Sequence, residues 1–172
     1  MTNEGTKRKL VAILSADAQG YSRLMGEDEK ATVETIKQYR EIMGELIQQH
    51  SGRVIDSPGD NLLAEFSSVV DAVNCAVKIQ EELKSRNEDL PGNKRMPFRI
   101  GIHLGDIIED EKRIYGDGVI VATRIQELTE AGNICLSRTS FDNVKNNWIS
   151  VINIWVNTRS KISPSRFGCI RS

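Results

Sequence analysis

The chain predicts an α+β domain, a sheet whose strands are interleaved with amphipathic helices that cover one of its faces. Apolar runs at Leu10–Asp17, Val54–Phe66 and Phe98–Leu104 have the length and punctuation of strands. Between them, apolar residues recur at the three- and four-residue spacing of helices. At 172 residues the chain is most simply one domain with a core of useful size.

The first strand, Leu10-Val11-Ala12-Ile13-Leu14-Ser15-Ala16, ends on Asp17, and a Gly20-Tyr21-Ser22 turn follows. Ile36, Tyr39, Met43, Leu46, Ile47 and His50 then define one side of a long helix that stops at Ser51-Gly52. Val54 to Phe66 reads as a hairpin, with Gly59 allowing the turn and Asp60 at its exposed tip. Ser68 with Asp71 resembles a capping box for a helix that turns Val69, Val73, Ala76, Val77 and Leu83 inward. Leu90-Pro91-Gly92-Asn93 is a loop, and Phe98–Leu104 is the next strand. Asp106, Glu109, Asp110 and Glu111 form an acidic run expected in a solvated hairpin. Gly116-Asp117-Gly118 introduces a helix with Val121, Ile125 and Leu128 on one side. It lacks both the Walker lysine and the Rossmann spacing, so it is not a phosphate loop of either kind. A short strand at 133–137 completes the order β-α-β-β-α-β-α-β, and a short helix at 141–145 follows it.

A net charge of −1 points to no polyanionic partner. Cys75, Cys135 and Cys169 contain no CxxC pair and read as reduced thiols. The N-terminus lacks a signal-peptide apolar region and no run approaches membrane-spanning length, so a cytoplasmic protein without membrane or nucleic-acid partners is expected. His103, on the Phe98–Leu104 strand, is expected to be structural.

Two acids at the ends of neighbouring strands, Asp17 and Asp60, could hold divalent metal against a triphosphate, because hard cations prefer oxygen ligands. By residue type alone, such acids, and an arginine such as Arg124, are more often surface charges in salt bridges. Four blocks in register change that weighting. They are Val11–Asp17 with Gly20-Tyr21-Ser22, Pro58–Phe66, Arg99–Gly105 and Tyr115–Arg124. Together they resemble the class III nucleotidyl cyclase catalytic domain over residues 8 to 145.

The resemblance implies a ferredoxin-like βαββαβ fold, a head-to-tail homodimer with shared active sites, and conversion of ATP or GTP to a 3′,5′-cyclic nucleotide and pyrophosphate. Asp17 and Asp60 match the family's aspartates for two Mg2+ or Mn2+ ions, one activating the ribose 3′-hydroxyl and one holding the polyphosphate. Arg124 matches the arginine that stabilises the α-phosphate from the other subunit. Three positions depart. Ile120 stands where the family has a ribose-orienting asparagine, and isoleucine either packs there or leaves a hydrogen bond unmade. Asp56 and Arg113 exchange the charges of the family's adenine-selecting lysine and aspartate. They could form an ion pair blind to the base, select guanine, or lie exposed in an unspecific pocket; ATP and GTP remain open.

The tail departs too. Residues 146–172 contain no Asp or Glu but hold both tryptophans, with Arg159, Lys161, Arg166 and Arg171. The family's closing strands cannot be found there. Codons permitted from Asn147 onward, read one base out, can spell a string similar to bacterial family endings, which implies a frameshift near Asn146. The expected organisation is thus a cyclase domain over 1–145 and an aberrant basic tail over 146–172 that leaves sheet edge unpaired. The alternative to an active cyclase is a catalytically degenerate regulatory or dimerisation module of the same fold.

Overall fold

The computed structural model describes residues 7–110, 113–145 and 167–170. Its strands are β1 (Lys7–Ala18), β2 (Gly52–Asp56), β3 (Asn61–Phe66), β4 (Phe98–Asp110), β5 (Arg113–Tyr115), β6 (Ile134–Ser137) and β7 (Phe167–Ile170). Its helices are α1 (Tyr21–Glu27), α2 (Glu29–Gln49), α3 (Val69–Glu88), α4 (Asp117–Glu127) and α5 (Arg138–Val144). The sheet runs β2-β3-β1-β4-β6-β7, with β5 pairing β4. Among the described residues, only the β4–β6 pair is parallel.

The helices form where capping and apolar spacing agree. Asp28 caps α2, its side chain accepting from the Ala31 N–H at 3.1 Å. Thr32, Ile36, Tyr39, Met43 and Ile47 then place one buried residue per turn. Ser68 caps α3 as its sequence implies, accepting from Asp71 N–H. These two helices cover one sheet face, meeting Ala12, Leu14 and Ala16 of β1 and Phe66, Phe98 and Ile100 in the main core.

The intervening residues of β1 point the other way. Val11 and Ile13 pack with Ile107 and Ala122 in a smaller cluster under α4. The helical layer of α2 and α3 therefore has a counterpart: α4 crosses the opposite face. The consecutive apolar residues of β1 are what a strand buried on both sides requires. The inward side of α4 is Gly118, Ala122, Ile125 and Gln126. The expected Val121–Ile125–Leu128 side is corrected in part, since Leu128 is 72% exposed. Gln126 is buried instead because Ser15 donates to its Oε1 at 3.4 Å, so a polar pair substitutes for an apolar contact.

Two expectations about the end of the chain are revised. The outer edge of β6 pairs with β7, Ile134 opposite Ile170 and Ser137 opposite Phe167, so that edge is not left open. Cys135 is disulfide-bonded, which overturns the reading of three reduced thiols. Cys75 is free, and burial pushes its thiol up to about 12. The rest of the tail, including the position of the expected frameshift, lies outside the described residues.

α4 sits close to the sheet because Gly101 has no side chain. A Cβ there would lie 2.5 Å from the Gln126 backbone N and 2.6 Å from the Ala122 carbonyl oxygen. Neither backbone atom can yield without moving the helix. Gly101→Ala is expected to destabilise the fold by about 1–3 kcal/mol, measured as a lowered denaturation midpoint at unchanged slope.

Candidate active site at the end of the central strand

β1 runs between β3 and β4, and its last turn of pairing gathers the site. Asp17 lies opposite Asn61 on β3 and opposite Arg99 on β4. The β2–β3 turn closes through the Asn61 N–H bond to the Pro58 carbonyl at 2.9 Å. Gly59 takes φ 57° in that turn, the left-handed conformation glycine adopts without strain. Asp60 follows it and is half-buried rather than at an exposed tip. Asp17 and Asp60 are thus brought together by antiparallel register from residues far apart in sequence.

Asp17 is already engaged. Arg99 Nε donates to its Oδ1 at 2.7 Å and Nη2 to its Oδ2 at 3.2 Å, a two-pronged pair. The same guanidinium donates through Nη1 to the Glu127 carbonyl at 2.9 Å, at the end of α4. Asp17 raises the Arg99 pKa in return. Asp60 has no such partner. Burial, and then the neighbouring Asp17 charge, push its carboxyl above the usual range, against opposing pulls from its own backbone N–H, Arg40 and Arg99.

The other expected residues are placed elsewhere. Ile120 and Arg124 lie one turn apart on the exposed side of α4, with Leu128 one turn further. Ile120 is 50% exposed, so it does not serve as core packing. Among the described residues no hydrogen bond or ion pair ties Arg124 to Asp17 or Asp60 in the same chain. Asp56 is exposed and accepts locally from the Ser57 N–H at 2.8 Å. Arg113 faces Asp110 in the β4–β5 pairing, and its side chain lies outside the described residues. His103 bonds Ser137 Oγ at 2.8 Å, and burial lowers its pKa, in keeping with a structural role. The acidic run does form a hairpin, but Glu109 is not simply solvated: it pairs with Lys9 and Arg53.

Sequence reasoning missed Arg99 and Arg40 as members of the site. Arg99 begins one of the four matching blocks, but only the register places it across from Asp17. No signal in the linear pattern singles out Arg40 beyond a charge next to the buried Tyr39.

Two carboxylates with hard oxygens, one of them destabilised by the other's charge, fit a divalent cation. The Arg99 guanidinium already occupies the cationic position at Asp17. Among the described residues no group of three or more His, Cys, Asp or Glu gathers as a metal cage. A site of this kind suits an ion that keeps water and substrate oxygens in most positions, as magnesium does.

An antiparallel sheet with α2 and α3 on one face, and paired acids at a strand end and a turn, is the class III cyclase fold. Comparison with known proteins agrees. The family described as adenylate and guanylate cyclase catalytic domain matches residues 4–161, and the chain belongs to that family. It is 40% identical over 164 residues to "Putative adenylate cyclase 3" of Rhizobium meliloti (strain 1021), a match covering 90% of this chain and 28% of that protein. The crystal structure of an adenylate/guanylate cyclase/hydrolase from Silicibacter pomeroyi superposes with a TM-score of 0.84 at 34% identity, covering 98% of this chain and 99% of that one. The guanylyl cyclase Cya2 superposes with a TM-score of 0.72 at 25% identity, covering 81% and 80%. This chain therefore spans little more than a quarter of the curated relative's length. Among the described residues, no helix is long and apolar enough to cross a membrane.

The raised Asp60 pKa has a consequence for stability. Below the ordinary aspartate value both folded and unfolded chains hold the proton and nothing is lost. As pH rises through that value the unfolded chain ionises first, so folding loses stability until the folded pKa is passed. Asp60→Asn is expected to raise the thermal midpoint of the metal-free protein at pH 7, with the gain vanishing near pH 3. An equal gain at both pH values would contradict this origin.

Proposed function

We propose that the chain is the catalytic domain of a nucleotidyl cyclase that works as a homodimer on a nucleoside triphosphate. The observation that carries this reading is the division of the matching residues. Asp17 and Asp60 meet at one end of the sheet, while Arg124 stands exposed on α4 without a tie to them. An arginine so placed serves a phosphate held by a second copy.

In this reading Asp17 and Asp60 would hold the metal ions, with Arg99 exchanging its grip on Asp17 as they enter. When bound, those ions supply the charge that makes the ribose 3′-hydroxyl acidic and neutralises the polyphosphate. The 3′-oxygen forms a bond to the α-phosphorus, the bond from that phosphorus to the β-phosphate bridge breaks, and pyrophosphate leaves. The hydroxyl proton passes to solvent. Arg124 of the other copy would present its fork of donors to the charge building on the α-phosphate oxygens. Asp56 and Arg113 would line the base pocket, and the preferred base decides between their possible pairings. A cytoplasmic setting accords with magnesium and triphosphates as reactants.

One observation favours a second reading, a cyclase fold kept for dimerisation or regulation. Ile120 is half-exposed at the position of the family's asparagine and offers the ribose no hydrogen bond. Losing one aligned polar group in a transition state costs about 10²–10³ in rate.

Turnover separates the two. Cyclisation of ATP and GTP with manganese is expected to be slow in the unaltered chain and about 10²-fold faster in Ile120→Asn. Arg124→Ala in that background is expected to remove most of the gain. Silence from the unaltered chain and Ile120→Asn alike would favour the regulatory reading.

A further inference from the structure

α2 carries a half-buried arginine, Arg40, with two guanidinium nitrogens that nothing among the described residues binds. Arg40 Nε and Nη2 are buried and have no hydrogen-bond partner among the described residues. A buried cation without an acceptor is costly, and a chain that keeps one without a partner has a use for the charge.

Its place follows from the geometry of the α2–β2 connection. β2 begins at Gly52, directly after α2 ends at Gln49, and the two elements pack together. From Gln49 back to Arg40 is about 14 Å along the helix axis. From Gly52 to the start of the Ser57–Asp60 turn is about 17 Å along the strand. Helical side chains lean toward the N-terminus, which directs Arg40 toward the turn end of β2. The electrostatic coupling between Arg40 and Asp60 agrees with that position.

The charges around the turn then fall into two pairs of unequal standing. Asp17 and Arg99 satisfy each other at 2.7 and 3.2 Å. Asp60 and Arg40 are close enough to feel each other, yet no hydrogen bond joins them. Two divalent ions and a tetraanionic triphosphate would add no net charge to this group. Ions drawn to the aspartates leave the unpaired guanidinium as the donor for phosphate oxygens beyond them.

We propose that Arg40 is a phosphate-binding residue, taking the terminal phosphate of the nucleoside triphosphate at the β2–β3 turn. This rests on the cyclase reading of Asp17 and Asp60. It adds a contact at the polyphosphate end and a means of preferring triphosphate to monophosphate.

The test is calorimetric binding with manganese, using 3′-deoxy-ATP and 3′-deoxy-GTP, which lack the attacking hydroxyl, against their monophosphates. The full chain is compared with Arg40→Met, Arg40→Lys and Asp60→Asn. The unaltered chain is expected to prefer the triphosphate. Arg40→Met is expected to bind it about tenfold to a hundredfold more weakly with monophosphate binding unchanged. Arg40→Lys keeps the charge without the fork and should fall between. The thermal midpoint of ligand-free Arg40→Met should stay level or rise, because a buried unpaired charge has gone. A lowered midpoint with equal losses for both nucleotides would make Arg40 structural and overturn the proposal. Undiminished triphosphate binding in Arg40→Met, with loss in Asp60→Asn, would overturn it while leaving the cyclase reading intact. Failure of the unaltered chain to bind either triphosphate would sink both.

Discussion

β1 and β4 are joined by twelve antiparallel pairs, from Lys7 opposite Glu109 to Ala18 opposite Phe98, and every other feature takes its place from that ladder. β3 attaches to the free side of β1 and β6 to the free side of β4. A slip of one residue would turn each side chain of β1 to the opposite face. Ile13 would leave the cluster under α4, Ser15 would lose Gln126, and Asp17 would face the α2 and α3 layer. Because both faces of β1 are buried, such a slip would bury polar groups and expose apolar ones on each side. The register that seats the core is thus the same constraint that holds Asp17 beside Arg99 and next to the turn bearing Asp60.

The sheet and the helices on it carry two charge clusters of different character. Toward one end, Glu65 accepts from Lys9 at 3.1 Å and from Arg53 at 2.7 Å, and Glu109 closes the group with contacts to both bases. Acid and base are matched there through Glu65 Oε1 and Glu109, although Glu65 Oε2 is itself buried without a hydrogen-bond partner. Toward the other end, Asp17 is matched by Arg99, but Asp60 has no ion-pair partner among the described residues, and Nε and Nη2 of Arg40, on α2, have no hydrogen-bond partner. Carboxylates raised by burial and a like-charged neighbour commonly mark sites of function, because a fold under no other demand would neutralise them.

Much of this was legible in the chain. β1, the β2–β3 hairpin, α2 and α3 follow from local signals: consecutive apolar residues, Gly59 in a turn, helical spacing from Ile36 to His50, Ser68 as a cap. Asp17 and Asp60 were readable because each ends or interrupts such an element. The side of α4 was not. Its buried positions include Gly118 and Gln126, whose inward placement depends on Gly101 admitting the helix and on Ser15 supplying a hydrogen bond. Apolar periodicity therefore selected Leu128, which solvent surrounds. Arg99 and Arg40 escaped notice for a related reason: their importance lies in what register and packing place across from them, and neither is written in the residues beside them.

The exposed side of α4 bears on what one copy of the chain can do. Ile120, Arg124 and Leu128 form a line four residues apart, with two apolar members at 50% and 72% exposure flanking the arginine. Single exposed apolar residues are ordinary on protein surfaces. Here they bracket the position that matches the family's phosphate-facing arginine. In the cyclase reading, Ile120 and Leu128 would lose water when a second copy covers this helix, and the Arg124 charge would strengthen as its surroundings dried. Isoleucine at position 120 then has opposite effects on two steps: it favours association by adding apolar area, and it withholds a hydrogen bond from the ribose. A chain can therefore assemble well and turn over poorly through the same side chain, which is why binding or dimerisation alone cannot distinguish the active reading from the regulatory one.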